Sequence, residues 1–187
     1  MVWALMGAAS LAWAQGLAPG VEITTLDLHR SGDAVEVSAS LRLDLSATVQ
    51  EALLKGVPLI FVTEADIYRE RWYWLDKRVG HVERPLRLLY QPLTRRWRLG
   101  PANDGGNAGL TQTFDTLDDA LGVIRRVSDW RIADYGELVV GSRYRLEFRF
   151  RLDTTQLPRP LQIGALGESD WALGVSAIRR LQPETLK

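Results

Sequence analysis

The chain contains no cysteine. Disulfides, thiol catalysis, cysteine-ligated zinc and a lipoprotein anchor are therefore excluded. Histidine is almost as rare. His29 and His81 stand far apart, and neither has a neighbour at metal-ligand spacing, so each is expected at the surface without a metal role. Lysine is scarce: only Lys55, Lys77 and Lys187 are lysines among 23 basic residues. The remainder are arginines, whose guanidinium stacks on rings and chelates carboxylates better than an ammonium does. GC-rich codon usage explains the same bias without any role. There is no excess charge of either sign, the formal net charge being zero. A non-specific nucleic-acid binder carries a basic excess, because phosphate neutralisation drives its affinity, so nucleic acid is not expected as a partner. The chain also lacks a G-x-S-x-G elbow, a P-loop, a G-x-G-x-x-G turn and an H-E-x-x-H helix. No cofactor or metal is implied.

What is present suffices for one core. The 187 residues are 46% hydrophobic, enough for a single domain that needs no staple. The opening "MVWALMGAASLAWAQG" is an uncharged apolar run ending in Ala12-Trp13-Ala14. Small residues at −3 and −1 suit signal peptidase, and the run is shorter than the ~20 residues that span a bilayer. The expectation is a signal peptide over 1–14 and a mature domain over 15–187, periplasmic or secreted. The usual basic n-region is missing, so either the true start lies upstream of Met1 or the signal is weak. No other segment is apolar enough to span a membrane.

The dominant pattern has period two. "AVEVSASLRLDL" places Val35, Val37, Ala39, Leu41, Leu43 and Leu45 on one face and Glu36, Ser38, Ser40, Arg42 and Asp44 on the other. "RYRLEFRFRLD" alternates Tyr144, Leu146, Phe148, Phe150 and Leu152 with Arg143, Arg145, Glu147, Arg149, Arg151 and Asp153. Such strands have one buried and one wet face, as in antiparallel sheets. Ser31-Gly32-Asp33 reads as a tight hairpin turn between the first two strands. Val57 to Val62 is apolar on both faces and reads as a central strand.

Two short helices interrupt the strands. Ser46 can cap "ATVQEALLK" with Gly56 as the stop, and Thr116 can cap "LDDALGVIRRV", with acids in the first turn and arginines in the last. Further strands are read in "WYWLDKRVG", "ERPLRLLYQ", "RRWRL" and "GLTQTF". "PANDGGNAG" is a loose loop joining neighbouring strands, and the prolines of "LPRPLQ" break the pattern again. The sum is a mainly β fold: an antiparallel β-sandwich, Ig-like in general architecture, of about eight or nine strands with two short α-helices at an edge or end.

"RERWYWLDKRV" is the stretch most suggestive of a site. Read as a strand over 69–78, it puts Trp72 and Trp74 with Asp76 on one face, against Leu86, Leu88, Tyr90, Trp97 and Leu99. Arg69, Arg71, Tyr73 and Leu75 take the other face, with Arg87 and Arg98. In that reading the tryptophans are core. If exposed instead, Trp72, Tyr73 and Trp74 would stack on sugar faces while the arginines bind carboxylates. The candidate binding residues are therefore Arg69, Arg71, Trp72, Tyr73 and Trp74, together with Arg145 and Arg149 on the wet side of the 143–153 strand. A charged sheet face also resists edge aggregation with no partner at all. Asp118 and Asp119 read as helix-cap charge. Glu168 and Asp170 in "GESDW" are the one carboxylate pair that would serve an envelope hydrolase, whose chemistry needs two carboxyls facing across a cleft.

Several blocks carry a family resemblance. "LRLDLSATVQEALLKGVPLIFVTEADIYRERWYWLDKRV", "RLLYQPLTRRWRL", "TFDTLDDAL" and "YRLEFRFRLDTTQLPRPLQIGAL…SDWAL" resemble a proteobacterial family of exported proteins catalogued as a domain of unknown function, number 4390 of that series. The resemblance runs from about Val21 to Leu173. It implies a periplasmic or membrane-facing location and no assigned activity, and it carries over no functional residue. Members are often encoded beside a nitrogen-regulation-type sensor kinase, and often continue into an aromatic-rich segment that "GVSAIRRLQPETLK" lacks. The expectation is a non-enzymatic exported module that binds another envelope protein, a sensor-kinase ectodomain being one candidate. A polysaccharide- or peptidoglycan-binding module is the alternative, and an envelope hydrolase the third reading.

Overall fold

The alternation in the second strand shows directly what the fold does with it. In the computed structural model, which describes residues 20–71, 75–102, 111–159, 161 and 169–186, Val35, Val37, Ala39, Leu41 and Leu43 are all buried, and the residues between them face outward. This strand, β2 (Ala34–Asp44), pairs antiparallel with β1 (Gly20–Ser31). Gly32 takes a φ of 59° in the turn between them, a left-handed conformation that costs glycine little.

The chain then passes through helix α1 (Ala47–Leu54) and enters a second sheet. Ser46 caps α1 by accepting from the Val49 amide, and Gly56 follows its end at φ 81°. Strands β3 (Leu59–Arg69), β4 (Lys77–Gln91), β5 (Arg96–Pro101) and β6 (Gln112–Phe114) form a meander. Helix α2 (Leu117–Ile124) returns the chain to the first sheet, where β7 (Arg126–Asp134) pairs with β2. Strands β8 (Tyr144–Asp153) and β9 (Gly174–Leu181) complete the second sheet on the far side of β3. The orders are β1-β2-β7 and β6-β5-β4-β3-β8-β9, with every pairing antiparallel. The mainly β, two-sheet architecture with two short helices is thus the one the alternation called for.

One core lies between the sheets. Tyr144, Leu146, Phe148 and Phe150 of β8 meet Leu59, Phe61, Ala65 and Ile67 of β3, and the β2 aliphatics face them. Phe61 and Phe150 stack with ring centroids 6.0 Å apart, and the buried Tyr144 hydroxyl accepts from the Val139 amide at 2.7 Å. Both helices turn their buried residues into this core: Val49, Ala52 and Leu53 from α1, and Ala120, Leu121 and Ile124 from α2. Among the described residues, neither of these helices joins the small buried cluster on the outer side of β3. Strand β3 is central, as its two apolar faces predict. Leu59 and Phe61 enter the main core, while Ile60 and Val62 pack with Ala102 on the opposite side.

The sheets also meet along their margins. Near β4, an added Cβ on Gly80 would lie 2.4 Å from the Ile132 carbonyl oxygen of β7, so only glycine fits. Arg84 of β4 lies over the Trp130 ring of β7 at 4.3 Å. On the other margin, Arg179 of β9 donates to the Leu26 carbonyl and pairs with Asp27 of β1 at 2.9 Å.

Three sequence expectations fail. The expected strand over 69–78 is not seen among its described residues: β3 ends at Arg69, β4 begins at Lys77, and Glu70, Arg71, Leu75 and Asp76 belong to neither. "KRVG" and "ERPLRLLYQ" are not separate strands but one strand of 15 residues. It runs through Pro85, where pairing with β5 is ending, and the Pro85 carbonyl accepts from the Ala102 amide. Helix α2 stops at Ile124, so Arg125 and Arg126 are not in its last turn. Arg125 instead reaches back to Asp118 and to the Leu43 carbonyl, stitching the helix to β2. Among the described residues no helix is long and apolar enough to cross a membrane.

Candidate functional site

Residues directly opposite on neighbouring strands share a face. The register across β9, β8, β3 and β4 therefore lays out the outer surface of the six-stranded sheet in rows. Arg180, Arg145, Tyr68 and Arg78 form one row; Ile178, Glu147, Asp66 and His81 the next; Ser176, Arg149, Glu64 and Glu83 a third. The acids occupy the middle and arginines rise on either side.

The ion pairs follow from that layout. Arg145 bridges Asp76 at 3.3 Å and Glu147 at 3.0 Å, and its guanidinium lies 5.4 Å from the Tyr68 ring. Arg149 pairs with Glu147 at 2.8 Å and with Glu64 at 3.7 Å. The hydrogen bond to Glu147 raises the Arg149 guanidinium above its already high range. Asp66 is the most enclosed acid here, only 2% exposed, and it holds His81 Nδ1 at 2.9 Å and Arg78 at 3.5 Å. The surface is a network of matched charge rather than an excess of one sign.

The sequence candidates separate. Arg145 and Arg149 lie on this outer face, as the alternation of β8 requires. Arg69 does not join them. It sits opposite Tyr144, in register with the core-facing side, at the end of the sandwich. Arg71 lies just past β3, its amide donating to Asp76, and it lines an open cleft of about 550 Å³ with Glu70, Gly141, Ser142 and Arg143. Trp72, Tyr73 and Trp74 lie outside the described residues. Leu88, Tyr90, Trp97 and Leu99 do meet as expected, Tyr90 and Trp97 at 4.7 Å, with β3 as their neighbour.

The carboxylate pairs have local duties. Thr116 caps α2 by accepting from the Asp119 amide, and Asp118 pairs with Arg125. Asp170 accepts from the Thr48 hydroxyl at 2.7 Å, and its carbonyl accepts from Ser46, so it fastens the start of α1. Glu168 lies outside the described residues.

Both histidines sit among acids, which sequence spacing did not reveal. His81 lies opposite Asp66 with Glu64 nearby. On the outer face of the other sheet, His29 Nε2 lies 3.3 Å from Glu36 Oε2 and 3.3 Å from Asp129 Oδ1. The signal is cross-strand register, legible only once β1, β2 and β7 are aligned.

Fold and surface together define a two-sheet antiparallel β protein whose most developed polar feature is a charged sheet face. A family model described as a domain of unknown function, DUF4390, matches residues 18–180, and the chain belongs to that family. No curated protein and no solved structure matches it.

Proposed function

We propose that the protein is an exported, non-catalytic module of the bacterial envelope that binds another envelope protein through the outer face of the six-stranded sheet. One observation carries the reading: the rows of paired arginines and acids on β8, β3 and β4, which neither helix covers. Paired charges at a protein interface set register and reject wrong partners more than they add raw affinity. A sensor-kinase ectodomain is the partner we put first. The engagement of Asp170 by Thr48 supports the non-catalytic reading, since that carboxylate anchors a helix.

In vivo cross-linking of the tagged protein in its native envelope, with mass spectrometry of what co-purifies, tests this. One enriched membrane protein, lost in an Arg145→Ala/Arg149→Ala variant, is the expected result. Glycan fragments, or only the protein itself, would overturn the reading. The open cleft lined by Glu70, Arg71, Gly141, Ser142 and Arg143 favours one alternative, a peptidoglycan or polysaccharide chain as the ligand.

A further inference from the structure

The opposite face of the sandwich holds a different arrangement. We propose that His29 of β1, Glu36 of β2 and Asp129 of β7 form a binding site for a divalent transition-metal ion of the zinc or cobalt type. Each strand of the three-stranded sheet contributes one donor, and the three donor atoms all lie within 4.8 Å of one another.

The spacing fits the coordination. Zinc binds imidazole nitrogen and carboxylate oxygen at about 2.0–2.2 Å in tetrahedral sites, which makes the edge between two ligand atoms about 3.3–3.5 Å. His29 Nε2 stands 3.3 Å from each carboxylate oxygen. Two edges of one face of such a tetrahedron are thus in place, and the third, between the two carboxylates, lies within 4.8 Å. The set is open to solvent on its Asp129 side, where that side chain is 64% exposed.

The charge balance asks for a cation. A neutral imidazole carries at most one hydrogen on Nε2 and so serves one of the two flanking carboxylates. Among the described residues no lysine or arginine pairs with Glu36 or Asp129. Arg131 lies opposite Glu36 in register and feels its charge, but its guanidinium bonds Asp134 and makes no ion pair with Glu36. The His81 cluster has the same three residue types, but Arg78 and Arg149 already neutralise its carboxylates.

The backbone is shaped to bring Asp129 in. Between the pairs Val37↔Trp130 and Ala39↔Val127, β2 has one residue and β7 has two, which is a bulge. Asp129 occupies it at φ 54°. Its amide donates to Ser38 Oγ, and the Ser38 hydroxyl donates back to Asp129 Oδ1, both at 3.0 Å. Ser38 thereby orients a ligand atom in the way outer-shell partners do at metal sites.

The test uses the purified chain. Zn²⁺ is titrated by calorimetry, and Co²⁺ by its visible absorption, which is intense for four-coordinate and weak for six-coordinate ions. One Zn²⁺ per chain and an intense cobalt spectrum are expected. His29→Ala and Asp129→Asn should each weaken binding by at least about 10–100-fold, the range seen for lost metal-site partners, and His81→Ala should leave it unchanged. Asn tolerates the left-handed conformation, so the second variant guards against misfolding of the first. No binding, binding that survives His29→Ala, or binding lost in His81→Ala would overturn the proposal. The site lies on the other sheet from the arginine rows, so its loss leaves the cross-linking result unchanged.

Discussion

His81 and His29 each face a carboxylate across an antiparallel pair, Asp66 in one case and Glu36 in the other, and each has a second acid at hand, Glu64 or Asp129. The surroundings differ. Asp66 is almost fully enclosed, and its neighbourhood is threaded by Arg78, Arg145 and Arg149. Glu36 and Asp129 are more open and share only an imidazole. What separates a structural ion-pair network from an open ligand set is therefore not the identity of the three residues but whether the adjacent strand supplies guanidinium. Strand β8 supplies it at alternate positions; on β7 the guanidinium opposite Glu36, that of Arg131, is turned to Asp134 instead.

The largest expected effect tests the enclosed side. Asp66→Ala removes the buried acceptor shared by His81 and Arg78 and should cost about 2 kcal/mol, within the range for a lost hydrogen bond to a charged group, since both partners keep contact with solvent. Asp129→Asn should change metal-free stability by no more than about 0.5 kcal/mol. Urea denaturation of both variants checks the contrast, and equal losses would erase it. Next in size is Gly80→Ala, one residue before His81. The added methyl meets the Ile132 carbonyl where β4 and β7 touch, and about 1–3 kcal/mol should be lost to overpacking. A neutral outcome would mean the sheets shift apart freely at this margin.

A gain of function sharpens the comparison further. If guanidinium is what fills the His81 cluster, then Arg78→Ala/Arg149→Ala should expose Glu64, Asp66 and His81 to solvent cations. The stability cost should be about 1 kcal/mol or less, since both arginine side chains are about half exposed. The variant should acquire a second Zn²⁺-dependent rise in melting temperature. A double variant that folds and binds no additional metal would show that enclosure of Asp66, not competition by arginine, closes that cluster.

Much of the fold was legible because it follows from local rules. Alternation in β2 and β8 named ten core side chains correctly, and Ser46 and Thr116 marked both helix starts. The ends of β3 and β4 were not legible, because they are set by the pairing of Arg69 with Lys77, which no local pattern carries. The site was harder for the same reason. Arg145 and Arg149 could be placed on a wet face from β8 alone, but their partners come from β3 and from the 70–76 connection. The His29 group needs three strands in register and a bulge in the third, and 93 residues of chain separate Glu36 from Asp129.

Asp129 itself gives the smallest and most discriminating prediction. A non-glycine residue at φ 54° carries backbone strain of about 1 kcal/mol, and Asp bears it better than most because its short side chain bonds locally. Glycine would remove the strain, lose the bond from the Ser38 hydroxyl to Oδ1 while its own amide still donates to Ser38, and gain entropy when unfolded. These terms nearly cancel, so Asp129→Gly should shift metal-free stability by about 0.5 kcal/mol or less in either direction. The same substitution should abolish the Zn²⁺-dependent rise in melting temperature, which scales with the excess of metal over its dissociation constant. Stability unchanged with the metal response lost means that the bulge serves the ligand set. A loss above about 1 kcal/mol without metal means that the Ser38 bonds hold β7 onto β2 and that aspartate is kept there for the sheet.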